Sequence, residues 1–148
     1  MYNKKCTMDN DMNEDDRGFW LFEPGASYTQ KPNVVLEKSF DFSVRILKFY
    51  KWLCQHHRDI IPLAKQVLRS GTSVGANLEE ADSAFSKKEF AAKVGISLKE
   101  ARETKYWLRL LHATEYIDSS IFSSLCNDND ELIRLLNSIL KTTRDNLK

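Results

Sequence analysis

From Phe85 to Glu115 the chain runs without a proline and with one internal glycine, Gly95, so nothing in it forces a helix to stop. The start of that helix is marked chemically. Ser86 has a hydroxyl suited to accept from the free backbone N–H groups of a first turn, and Glu89 follows at capping-box spacing. Phe85 and Phe90 occupy the two positions of a hydrophobic staple across the cap. Phe90, Val94, Ser97, Ala101, Thr104, Leu108 and Leu111 then recur at alternating four- and three-residue steps, which is one continuous helical face. Ser97, Ala101 and Thr104 on it are small enough to admit a neighbouring helix closely. A second row, Ile96, Glu100, Glu103, Trp107 and Leu110, lies beside the first, so the helix requires more than one neighbour. At a rise of about 1.5 Å per residue it spans roughly 45 Å, and its partners should be long helices too.

The rest of the chain supplies them. A first helix is predicted from about Leu36 or Ser39 to Gln55, with Phe40, Val44, Leu47, Tyr50 and Cys54 along its apolar side. His56 and His57 fall at its negative end, where imidazoles suit the last carbonyls. A second helix is predicted from near Asp59, a candidate N-cap, with Pro62 tolerated in the first turn. Ile60, Ala64, Val67, Gly71, Val74, Leu78 and Ala81 form its core row. Gly71 and Gly75 each cost about 1 kcal/mol in a helix interior against alanine, which makes sense where another helix presses on them or the helix bends.

Asp118 is placed to cap a fourth helix whose apolar face is Ile121, Phe122, Leu125, Leu132, Leu136 and Ile139. Asn127-Asp128-Asn129-Asp130 reads as a local breaker, either interrupting that helix or forming its first solvent-facing turn. Four helices on short connections define an all-α, antiparallel up-down-up-down four-helix bundle over residues 36–148. Residues 1–35 are expected to be a disordered or loosely docked N-terminal extension. Within it, Phe19, Trp20, Leu21 and Phe22 form an apolar tetrad, read either as tucking onto the bundle or a sister subunit or as a peptide that docks another protein.

Function is far less legible than architecture. The 148 residues suffice for one domain, and no run approaches the apolar length of a membrane span, so no membrane partner is expected and the simplest location is cytoplasmic. Cys6, Cys54 and Cys126 are too scattered for a disulfide framework or a zinc site. Glu79, Glu80, Glu100 and Glu103 lack the Glu-x-x-His spacing of a di-iron bundle, and no nucleophile–histidine–acid set emerges. No catalytic residue, metal or cofactor is therefore assigned, and an enzyme is not expected.

The net charge is +1, but two lysines against five acids give the first sixteen residues −3 and leave +4 on the remainder. The predicted third helix carries Lys87, Lys88, Lys93, Arg102, Lys105 and Arg109, the candidate contacts for RNA or DNA. Tyr106 and Trp107 stand among them, in reach of bases or packed in the core or a subunit interface. The competing reading is a protein-binding module without nucleic-acid affinity, docking through Phe19–Phe22.

The run Ser70-Gly71-Thr72-Ser73-Val74-Gly75-Ala76-Asn77-Leu78-Glu79-Glu80-Ala81, then Ser86-Lys87-Lys88-Glu89-Phe90 and the stretch Ile96 to Leu111, resembles the four-helix-bundle proteins encoded in intervening sequences of bacterial 23S ribosomal RNA genes, once labelled S23 ribosomal proteins. The same family includes the accessory variability protein of diversity-generating retroelements. The resemblance covers about residues 36–145. It implies an up-down bundle assembling as a ring-like homopentamer, with no established catalytic activity or cofactor. For a retroelement member it would further imply basic surfaces that bind nucleic acid and a reverse transcriptase as partner.

Overall fold

The structure, a computed structural model, describes residues 33–147. Four long helices account for most of them: α1 (Val34–His56), α2 (Ile61–Asp82), α3 (Lys87–Ala113) and α4 (Ser119–Asp145), with a single 3-10 turn, Arg58–Ile60, before α2. Each helix packs on the next in sequence, which is the up-down-up-down arrangement. α1 and α4 touch least, and α1 and α3 sit diagonally across the bundle.

The core row read for α3 is buried from Val94 to Leu111, with Phe90 half-buried at its start. Its small members act as predicted and also bond. Ser97 Oγ donates to the Val74 carbonyl (2.8 Å) and Thr104 Oγ1 to Ser70 Oγ (2.9 Å), so α2 and α3 meet through hydroxyls as well as methyls. The α2 row from Ile60 to Ala81 is buried throughout.

The two glycines have one cause. A Cβ on Gly71 would lie 2.8 Å from Ile46 Cγ1 and Cγ2, and one on Gly75 would lie 3.0 Å from Ser43 Oγ and 3.3 Å from the Ser39 carbonyl. The α1 backbone and the Ile46 side chain fill the space those methyls would need. Gly95 of α3 is different: among the described residues nothing lies within 4 Å of where its Cβ would be.

Several local expectations are corrected. α1 begins at Val34 and buries Val35, Ser39, Phe42, Ile46, Phe49 and Leu53, not the row beginning at Phe40. Phe40 is 63% exposed, Val44 37% and Leu47 43%. α1 carries two apolar rows on different sides, and the glycine cleft of α2 selects the one containing Ile46. Phe85 is 99% exposed, so no hydrophobic staple forms. Glu89 instead accepts from the Phe85 N–H (2.9 Å) while Ser86 Oγ accepts from the Glu89 N–H (3.0 Å).

Asp59 caps nothing. Its carboxylate accepts from the Tyr116 hydroxyl (2.6 Å), which holds the Asp59 carboxyl below and the Tyr116 phenol above their usual ranges. Asn127–Asp130 does not break α4, which runs unbroken from its cap, Asp118 Oδ1 accepting from the Ile121 N–H (2.8 Å). Three of those four polar residues have partners across the bundle. Asn129 is fully buried and donates to the Ala101 carbonyl (2.9 Å), Asp130 pairs with Lys105 and Asp128 with Arg45.

The α1–α4 seam is bridged largely by charge, through Lys38–Glu131 (2.9 Å), Arg45–Asp128 and a bond from Arg45 to Ser124 Oγ (2.7 Å). Beside these bridges lies a cavity of about 440 Å³ whose lining includes Phe49, Trp52, Ile121 and Leu125.

Candidate nucleic-acid interface

α3 positions every cation singled out in the sequence, and the fold sorts them into two groups. Lys93 and Lys105 are half-buried and held by carboxylates of neighbouring helices, Glu80 on α2 and Asp130 on α4 (2.7 Å). Lys87, Lys88, Arg102 and Arg109 are exposed and make no ion pair among the described residues. Lys87 and Lys88 stand in the first turn, at the positive end of the helix dipole. A cation there opposes helix formation by roughly 0.3–1 kcal/mol, so the fold gains nothing from their charge.

Lys88, Arg102 and Arg109 line up, and Lys87 lies off their row. Positions 88, 92, 95, 99, 102, 106 and 109 follow the same four-three alternation as the core row, on the outer side of the helix. They are Lys88, Ala92, Gly95, Lys99, Arg102, Tyr106 and Arg109, without one acid among them. From Lys88 to Arg109 this strip covers about 32 Å at the helical rise. Lys99 belongs to it and was missed as a site residue, although applying the core alternation to the polar side would have found it.

The acids of α3 lie off the strip. Arg69 of α2 pairs with both Glu103 and Glu100 (3.3 Å), and the Trp107 indole N–H donates to Glu103 (3.0 Å). The Arg69 guanidinium first, and the indole second, hold the Glu103 carboxyl below its usual range. Trp107 is thus packed partly inward, whereas Tyr106, edge-on to it at 4.9 Å between ring centres, is 54% exposed.

At the carboxyl end of the strip lies a shallow cavity of about 400 Å³, lined by Tyr106, Arg109, Leu110, His112, Ala113 and Phe122. The His112 and Phe122 rings stack at 4.5 Å, nearly parallel, and His112 Nε2 lies 3.2 Å from Ser119 Oγ. α3 ends just beyond. The Tyr116 and Glu115 N–H groups donate to the Leu111 and His112 carbonyls, with Glu115 in the left-handed region at φ 63°.

No group of three or more His, Cys, Asp or Glu side chains able to hold a metal occurs among the described residues. His56 Nδ1 instead lies 2.8 Å from the Trp52 carbonyl near the end of α1, and Cys54 and Cys126 are free thiols. Burial above all pushes the Cys126 thiol up. No described helix is long and apolar enough to cross a membrane. Cys6 and the tetrad Phe19, Trp20, Leu21 and Phe22 lie outside the described residues.

Fold and surface together define a plain up-down four-helix bundle with a basic outer strip and no metal-binding cluster among the described residues. Residues 31–138 match the family described as 23S rRNA-intervening sequence protein, and the chain belongs to that family. It is also similar to a crystal structure at 1.70 Å resolution of a protein of unknown function from the S23 ribosomal protein family of Bacteroides thetaiotaomicron. The two share 48% identity and a TM-score of 0.70, over 72% of this chain and 98% of the other. No curated protein matches the chain.

Proposed function

We propose that this protein is a non-enzymatic, homo-oligomeric scaffold that holds RNA or DNA on the outer strip of α3. The observation that carries the reading is the separation of the α3 cations: Lys93 and Lys105 pair with carboxylates of neighbouring helices, and Lys88, Lys99, Arg102 and Arg109 share one strip that carries no acid. Self-association is supported by the opposite side of the molecule. Phe40, Val44 and Leu47 form an exposed apolar row on α1, diagonal to α3, so a subunit contact there leaves the basic strip displayed. A ring of five, as the family resemblance implies, repeats the strip around its circumference, and weak phosphate contacts then add through avidity.

The test is binding of the full chain to structured RNA and to duplex DNA across a salt series, with assembled mass recorded in the same buffers. Four phosphate contacts per subunit give a log–log salt slope of roughly −3 to −4. Arg102→Glu with Lys88→Glu should weaken binding to both polymers, and Phe40→Ser with Val44→Ser should lower the mass without loss of helix. A multimer that binds neither polymer at low salt overturns the nucleic-acid reading. A chain that stays monomeric at high concentration overturns the scaffold.

A further inference from the structure

We propose that the cavity at the carboxyl end of α3 receives one unstacked base of a single-stranded nucleic acid whose phosphates follow the strip from Lys88 to Arg109. This rests on the nucleic-acid reading above and narrows its ligand to single strands, loops or ends.

The lining has the chemistry that a base requires. A base is a flat, weakly polar disc, held by apolar and aromatic surface with a few hydrogen-bonding groups at its edge. Leu110, Ala113 and Phe122 supply the apolar surface, and the nearly parallel His112–Phe122 pair supplies an aromatic platform. The Ser119 contact steadies the His112 ring. Tyr106 adds a second, largely exposed ring with a hydroxyl. No carboxylate of the described residues lines the cavity.

Position supplies the rest. Arg109 is at once the last cation of the strip and part of the cavity's lining, so a phosphate on its guanidinium has its own base beside the opening. A regular duplex offers the same phosphates, but its bases are paired and stacked, and one enters only after being pulled out. The strip alone would treat both polymers alike; the cavity separates them.

Fluorescence anisotropy at low salt tests this with three probes: a short mixed-sequence RNA strand, the same strand in a duplex, and an abasic strand of equal length. The single strand should bind about tenfold or more tightly than either other probe. Tyr106→Ala, an exposed position whose folding is checked by circular dichroism, should bring single-strand affinity down to the abasic value, and Tyr106→Phe should keep most of it. Arg102→Glu should weaken all three. Equal affinity for the three probes, or a silent Tyr106→Ala, overturns the base pocket and leaves the nucleic-acid reading standing. Failure of every probe to bind overturns both.

Discussion

Gly71 and Gly95 are the same residue in the same kind of helix, and their surroundings give them opposite signs. Gly71→Ala drives a methyl to 2.8 Å from two Ile46 carbons, an overpacking that costs about 1–3 kcal/mol unless α1 moves. Gly95→Ala adds a methyl in open space and removes backbone freedom from the unfolded chain, so it should stabilise by about 0.5–1 kcal/mol. Urea unfolding of the two variants beside the parent checks both signs at once. Glu115 is the third such position. An L side chain in the left-handed region costs roughly 1–2 kcal/mol, so Glu115→Gly should raise the unfolding midpoint while leaving the α3 terminus unchanged. Sequence reading could find the cleft at Gly71 and Gly75, because two helix-interior glycines need a reason. It could not see that Gly95 has no neighbour, since an open glycine and a packed one are spelled alike.

At the scale of the helix, α3 was the most legible element and α1 the least. α3 carries a cap, an unbroken length and one dominant apolar face, and each points to the same burial. α1 offers two apolar rows, and periodicity has no means of ranking Phe42–Ile46–Phe49 above Phe40–Val44–Leu47. The decision was made by α2, whose cleft takes Ile46. The polar run in α4 misled for a related reason. Asn127–Asp130 has the composition of a turn, but Asn129, Asp130 and Asp128 each find a partner on another helix, and those bonds exist only once the bundle is assembled.

The tie between α2 and α3 carries a pH signature. Arg69 and Trp107 favour the ionised form of Glu103 in the folded state, so its pKa is depressed. Its stabilisation is complete above the ordinary glutamate value of about 4.3 and disappears as pH falls through the depressed one. Glu103→Gln should therefore be less stable than the parent at neutral pH, and the gap should narrow as the solution is acidified below about pH 4. Thermal unfolding of both proteins between neutral and acid pH measures that convergence, and parallel curves would dissociate Arg69 from Glu103.

Across the whole molecule, the proposed division of labour between α1 and α3 was only half legible. The cations of α3 were visible as a set, but their sorting was not, because Glu80 and Asp130 reach Lys93 and Lys105 from other helices. Nor was the cavity that follows Arg109, since Phe122 joins it from α4.

The α1–α4 seam has a further consequence. A bundle joined tightly along three edges and loosely along the fourth behaves like a book with its covers latched rather than glued. The latches, Lys38–Glu131 and Arg45–Asp128, are partly exposed ion pairs, and added salt screens such pairs while leaving apolar packing intact. Raising ionic strength should thus speed amide hydrogen exchange in α1 and α4 before it touches α2 and α3. The same salt that would strip a polyanion from the proposed strip would let the covers part around Trp52.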